Sequence, residues 1–331
     1  MKRIKIAQIG TSANSHGNPI FGSLQKQSDI FEIAGYSMPE NERDKFPGNM
    51  KLFEGFREMS VDEILNDASI EAVAIETEEI HLTKYALMAA KVGKHIHMEK
   101  PGGRELSEFE ELIETVKAGN TVFHTGYMYR YNPYVIDLLK RIKEGELGDI
   151  ISVEAQMNCR HPESVRSWLS AFPGGMMFFL GCHLIDLIYR IQGEPKKIIP
   201  LNRSTGYLGA SGEDFGMAIF EYDRGVSFAK TCAVERGGFA RRQLVVTGTE
   251  GTVEIKPFEM SAPGGIWTGK IEFFSDAWAD RGVYTETAVF DRYDAMMNGF
   301  GRMVRGEIEN PYTYDYELDL YRTVLRACNA L

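Results

Sequence analysis

Several things are scarce in this chain of 331 residues. Cysteine is rare. Cys159, Cys182, Cys232 and Cys328 stand far apart and form no CxxC pair. That argues against a disulfide framework or a zinc staple, and it fits a reducing cytoplasm. Long apolar runs are scarce too. The stretch between Arg166 and Asp186 carries no charge, but Pro173, Gly174, Gly175, Gly181 and His183 interrupt it, so no membrane-spanning helix is expected. Positive charge is in short supply. Thirty-seven Lys and Arg against 47 Asp and Glu leave a net charge of −10, without a clustered basic run. A binder of nucleic-acid phosphates needs the opposite field. The start, Met1-Lys2-Arg3 followed by Ile4 to Gly10, reads as a strand and not as a signal peptide. No Gly-x-Ser-x-Gly elbow occurs. His161 lies near Cys159 without a third ligand at metal spacing, so no metal is expected.

What is present is ordinary globular material: 44% hydrophobic and 25% charged residues. At roughly 150 residues per domain, the length suggests two domains. The first part alternates strands and helices. Strands are expected at Ile4–Ile9, Phe31–Ser37, Glu71–Glu76, His95–Met98 and Thr121–Thr125. Helices are expected after Ser60, over Leu82–Val92, and after a capping box at Ser107–Glu110. Such alternation implies a doubly wound parallel sheet over residues 1–125. From 126 to 331 the pattern changes. Asn132-Pro133 opens a helix to Lys143, and a strong helix is expected from Met176 to about Ile191. Seven strands separated by turns such as Asp223-Arg224-Gly225 indicate an α+β domain with an open, mostly antiparallel sheet. Two closing helices follow, and the last is expected to pack back on the first domain.

The first strand ends in Gly10-Thr11-Ser12-Ala13-Asn14-Ser15-His16-Gly17. A glycine here lets backbone amides face an anion at the next helix N-terminus. The full dinucleotide fingerprint has glycine at 10, 12 and 15; only Gly10 is present. A plain βα turn fits as well. The second strand ends Tyr36-Ser37-Met38, without the acid that binds a ribose diol. Arg43 or Lys45 is then placed to meet a 2′-phosphate, or both are solvated charges. The choice between NAD and NADP stays open.

At the end of the fourth strand stands Gly93-Lys94-His95-Ile96-His97-Met98-Glu99-Lys100-Pro101. Further on come Gly126-Tyr127-Met128-Tyr129-Arg130-Tyr131-Asn132-Pro133, Gly181-Cys182-His183-Leu184-Ile185-Asp186 and Gly248-Thr249-Glu250-Gly251-Thr252. Together these segments resemble the Gfo/Idh/MocA oxidoreductases (the glucose–fructose oxidoreductase and inositol 2-dehydrogenase family). The resemblance spans nearly the whole chain. It implies a Rossmann domain followed by an open-sheet domain, and NAD- or NADP-dependent oxidation or reduction of a secondary alcohol on a sugar or cyclitol. The family's Lys, which contacts substrate and nicotinamide ribose, maps onto Lys100. Its catalytic His maps onto His183.

The chemistry is coherent with that mapping. Hydride leaves carbon as the hydroxyl proton is removed, so a base is needed beside the oxygen. His titrates in the useful range, and Lys serves where burial disfavours its charge. Lys100 and His183 are therefore the catalytic candidates, flanking the alcohol as acid/base and hydrogen-bond donor. Cofactor contacts are expected from Gly10, Ser12, Ala13, Ser37, Arg43, Thr77, Glu99 and Lys100. Substrate contacts are expected from Lys100, Arg130, Trp168, Phe179, His183 and Asp186. His183, Asp186 and Arg190 share a helix face; an Asp186–Arg190 pair within the helix is the plainer reading.

Three departures touch this mapping. Ser12 replaces a glycine, Met38 replaces the ribose acid, and Phe179 replaces the Asp the family has four residues before the His. Glu79 also stands where the family often has Asn. Phe179 keeps in view a cofactor-binding sensor or regulator without turnover, and the resemblance also implies a third function, a glycoside hydrolase using bound NAD. A homo-oligomer is expected, because Ile219-Phe220-Glu221-Tyr222 and Val226-Ser227-Phe228 leave apolar side chains on both sheet faces.

Overall fold

The computed structural model describes residues 2–331. The chain divides into two compact units. Unit 1 comprises Met1–Met128 and Tyr293–Tyr321; unit 2 comprises Tyr129–Arg292 and Arg322–Leu331.

Unit 1 begins β1 (Ile4–Ile9), α1 (Gly17–Lys26), β2 (Phe31–Ser37), α2 (Glu42–Lys45), α3 (Val61–Asn66), β3 (Ala72–Ile75), α4 (Leu82–Lys91), β4 (His95–Met98), α5 (Leu106–Gly119) and β5 (Phe123–Thr125). The strands form one parallel sheet in the order β2-β1-β3-β4-β5. Its strands are apolar on both faces, with Ile6, Ala7, Ile9, Ala72, Val73, Ile75 and Ile96 all fully buried. That is the signature of a parallel sheet covered by helices. The order reverses at β1: β2 lies on one side and β3 on the other. In sheets of this kind ligands bind beyond the carboxyl ends of the strands that flank such a reversal, here β1 and β3.

One expected cap moves. The capping box sits at Ser60, whose Oγ accepts the Glu63 amide at 3.1 Å while Glu63 accepts the Ser60 amide at 2.7 Å. No such box forms at Ser107. The helix there starts at Leu106, so Ser107 is already inside its first turn.

Unit 2 continues with α6 (Pro133–Lys143), β6 (Ile150–Asn158), α7 (Glu163–Trp168), a π-helical turn at Met177–Gly181, α8 (Cys182–Gln192), β7 (Lys197–Pro200), β8 (Phe215–Glu221), β9 (Val226–Cys232), β10 (Gln243–Gly248), β11 (Thr252–Ile255), β12 (Met260–Ala262), β13 (Gly265–Trp267), β14 (Gly269–Phe273) and β15 (Val283–Glu286). Eight strands form one sheet in the order β15-β14-β11-β10-β6-β9-β8-β7. It is antiparallel except between β6 and β9, which run parallel. α8 packs on β6 and β9. Val153, Ala155, Met157, Ala229, Leu244 and Val246 are fully buried, while the alternate positions Phe215, Met217, Ile219, Phe228 and Val245 are half-buried. Helices α9 (Asp294–Val304), in unit 1, and α10 (Tyr314–Ala327) close the chain, and α10 contributes residues to both units. Ser23 on α1 donates to Asp294 at 2.8 Å.

The expected helix from Met176 to Ile191 is two pieces. The π turn inserts one extra residue per turn before α8, a device frequent at functional sites. The short strands β12, β13 and β15 and the helix α7 were not anticipated, because each has six residues or fewer and little apolar periodicity.

Candidate functional site

Residues gather at the carboxyl edge of the unit 1 sheet. Gly10 has φ +91°, and a Cβ there would lie 2.4 Å from the Thr77 side chain. Only glycine lets the loops after β1 and β3 approach this closely. Ser12 and Ser15 fill the turn in an unexpected way. The Ser12 hydroxyl accepts the amides of Asn14 and Ser15 at 3.2 and 2.9 Å. The Ser15 hydroxyl accepts the Ser12 amide at 3.0 Å and donates to the Glu76 carbonyl at 3.2 Å. Donors that glycine would leave bare are thus held by rotatable hydroxyls, which can turn to an anion's oxygen instead. Ala13 is exposed at the rim, and buried Ser37 accepts the Gly10 amide through its carbonyl at 2.8 Å.

The basic residues offered for a 2′-phosphate are engaged elsewhere. Arg43 pairs with Glu58 and donates to the Tyr36 hydroxyl at 3.1 Å. Lys45 pairs with Glu78 at 2.7 Å. Glu42 on α2 is the carboxylate that sequence reasoning missed. It is fully buried and accepts the amides of Thr11 at 3.1 Å and Glu78 at 2.9 Å, tying the loops after β1 and β3 together. Burial pushes its carboxyl up to about 8, against the pull of those two amides.

Lys100 lies two residues beyond the end of β4, 1% exposed, with its ammonium 3.8 Å from Glu99. The other Glu99 oxygen meets His16 Nδ1 at 2.9 Å. Burial raises the Glu99 carboxyl, but His16, Lys100 and His97 outweigh it and hold the group at about 2. Two further carboxyls lie in the loop after β3. Glu76 is fully buried, with Oε1 3.4 Å from His97 Nε2. Burial, then Glu99 and Glu79, push it well above the usual range. Glu79 is 2% exposed, and neither of its oxygens has a hydrogen-bond partner among the described residues. Burial pushes it to about 7, with Lys100 pulling the other way. His97 is driven down to about 4 by burial and lies 2.8 Å, Nδ1 to Nδ1, from His124. The acidic run Glu76-Thr77-Glu78-Glu79 at a strand end was the sequence signal for this cluster.

Unit 2 carries the second candidate. His183 sits in the first turn of α8, 1% exposed, with its ring edge-on to Tyr129 at 5.2 Å. The Tyr129 hydroxyl donates to Glu259 at 2.7 Å, and Arg242 and Arg292 also pair with Glu259. Asp186 lies one turn beyond His183 and finds a partner outside its helix. Its carboxylate takes the Arg130 guanidinium through Nε at 3.1 and 3.0 Å and Nη2 at 2.8 Å. Both are buried. Phe179 lies in the π turn, edge-on to Trp168 at 5.1 Å and 6.2 Å from His161. Trp168 also meets Phe172 at 4.8 Å, so its place is in an aromatic cluster.

Comparison with known proteins places this arrangement. Residues 4–127 match the family model described as an oxidoreductase family with NAD-binding Rossmann fold, and residues 135–254 match the Gfo/Idh/MocA C-terminal domain. The chain belongs to the Gfo/Idh/MocA oxidoreductase family. Among curated relatives, trans-1,2-dihydrobenzene-1,2-diol dehydrogenase of Bos taurus is 26% identical, covering 59% of this chain and 58% of its own length. The NADP(+) scyllo-inositol 2-dehydrogenase of Bacillus subtilis is 26% identical over 59% and 53%. The matches thus span little more than half of these relatives. The solved structure of a levoglucosan dehydrogenase in complex with NADH and levoglucosan superposes with TM-score 0.79 at 17% identity, covering 99% of this chain and 97% of that one. At that identity the likeness speaks for fold alone.

The turn fits the dinucleotide of this family. Gly10 permits the close approach, the serine hydroxyls present exchangeable partners, and the orphaned Glu79 oxygens await a donor.

Proposed function

We propose that the protein is an NAD- or NADP-dependent oxidoreductase acting between a secondary alcohol and the corresponding ketone of a sugar-like or cyclitol substrate. The observation that carries this reading is Lys100. It is a buried ammonium at the carboxyl end of β4, on the ligand-binding edge of a unit matched to an NAD-binding family. The relatives' names, dehydrogenases of inositol and of diols, point to the same chemistry. Neither the regulator nor the glycoside hydrolase draws support from them.

The roles follow from position. Gly10, Ser12, Ala13 and Thr77 hold the pyrophosphate side of the dinucleotide, with Ser37 beneath its adenosine half. Arg43 reaches a 2′-phosphate only by leaving Glu58. Glu99 keeps Lys100 oriented. The nicotinamide, when bound, accepts or donates the hydride. Lys100 then binds the reacting oxygen and moves its proton, and His183 is the second acid–base group. Asp186, locked to Arg130, holds the face of α8 that carries His183. Phe179 and Trp168 give the substrate side an aromatic wall, suited to the apolar face of a ring.

A panel of inositols, sugars and keto-sugars, followed at the absorbance band of reduced nicotinamide with NAD and with NADP, tests this reading. Turnover with a cyclic polyol is expected; bound cofactor that never changes absorbance with any of them would refute it.

The half-buried sheet face bearing Met217, Ile219, Phe228 and Val245 supports a homo-oligomer, since an apolar face of that extent needs cover. Sedimentation of Ile219→Lys is expected to show smaller species than the parent. Residence in the cytoplasm accords with four buried cysteines that form no disulfide. Among the described residues, no helix is long and apolar enough to cross a membrane.

A further inference from the structure

Buried carboxyls without partners are costly and call for an explanation. Glu79 is such a group, and it lies at the ligand-binding edge. In a sheet of this order the adenosine half of a dinucleotide lies over the end of β2. Its other half therefore runs toward the ends of β3 and β4, where Glu76, Glu79, Glu99 and Lys100 stand. Glu99 already faces Lys100 at 3.8 Å and His16 at 2.9 Å. Glu76 has His97 at 3.4 Å. Neither Glu76 nor Glu79 accepts a hydrogen bond among the described residues, and Glu79 lacks even a ring nitrogen as close as the one beside Glu76. An oxidised nicotinamide ring is cationic, and the reduced ring is neutral.

We propose that Glu79 is a specificity-determining residue that makes the site favour the oxidised, cationic nicotinamide over the reduced form. The inference rests on the oxidoreductase reading above and deepens it. A carboxylate beside the ring attracts one redox state and is indifferent to the other, and low local dielectric strengthens that difference. A site that favours the oxidised cofactor makes the bound reduced form a stronger hydride donor. The chemistry is then tilted toward reduction of a ketone, with hydride passing to the carbonyl carbon and a proton to its oxygen. The groups that face Glu79 are Lys100 and Glu99 from the end of β4 and Glu76 and Glu78 from its own loop. His16 acts through Glu99, and His97 through Glu76. Because the Glu79 carboxyl titrates at about 7, the preference should strengthen as pH rises through neutrality.

The test is equilibrium binding to the full-length protein. NAD+ and NADH, and separately NADP+ and NADPH, are titrated calorimetrically at pH 5.5 and pH 8. For the pair that binds more tightly, the affinity ratio of oxidised to reduced form is expected to rise about tenfold from pH 5.5 to 8, a change equivalent to one pKa unit of interaction. Glu79→Gln should lower the ratio at pH 8 by about tenfold and abolish its pH dependence. The pH series on the parent protein decides the matter even where the variant folds poorly. A ratio that does not move with pH overturns the role of Glu79 and leaves the oxidoreductase reading standing. Failure of all four dinucleotides to bind overturns both.

Discussion

The two units differ in where they leave buried carboxyls without hydrogen bonds. In unit 2, Arg130 meets Asp186, Arg166 meets Asp214 at 3.1 Å, and Arg242 and Arg292 converge on Glu259. These charges are closed off by partners in the fold itself. In unit 1, the loop after β3 buries Glu76 and Glu79 with no hydrogen bond to either carboxyl among the described residues. Closed pairs hold a shape, whereas orphaned groups at a sheet edge wait for a ligand. The difference separates scaffold from site without reference to any relative.

The largest expected effect is on the chemistry. His183→Ala should lower the rate of hydride transfer by about 10²- to 10⁴-fold, the usual worth of a positioned acid–base group. An unchanged rate in single-turnover absorbance would make His183 part of the scaffold. Next comes the closed pair. Arg130→Met takes the guanidinium away from buried Asp186, and should cost about 3–5 kcal/mol in urea unfolding. A loss below about 1 kcal/mol would erase the contrast between the units.

Glu79 should behave in the opposite sense. Burial raises its folded carboxyl from the ordinary 4.5 to about 7, so the folded state holds the proton to higher pH. Its contribution is fully present below about 4.5 and is lost as pH rises to about 7, about 3 kcal/mol in all. Unfolding of the cofactor-free protein across this range should show that decline, steepened by Glu42, which titrates at about 8. In Glu79→Gln the decline should shrink by about 3 kcal/mol; an identical pH profile would mean that Glu79 is not buried as an acid. The smallest effect is local. Ser60→Ala removes the cap of α3 and should cost about 1 kcal/mol in the same unfolding measurement.

Much of unit 1 was legible in sequence because parallel strands are continuous apolar runs. Ile4–Ile9, Phe31–Ser37 and His95–Met98 end where their residues said they would. Lys100 and Gly10 were legible because a strand end and a required turn each leave a local mark. Arg130–Asp186 was not, since the two residues are 56 positions apart and a nearer partner, Arg190, looked equally apt. The π turn before His183 was hidden because its apolar residues read as ordinary helix. Glu42 escaped because an acid on a four-residue helix looks like a solvated charge until its burial is seen.

The most direct measurement is stopped-flow absorbance of a single hydride transfer in the parent protein and in Lys100→Ala, each saturated with cofactor and an active polyol. The account expects a slowing of at least about 100-fold in the variant, with thermal unfolding unchanged. A variant that transfers hydride at the parent's rate would contradict it.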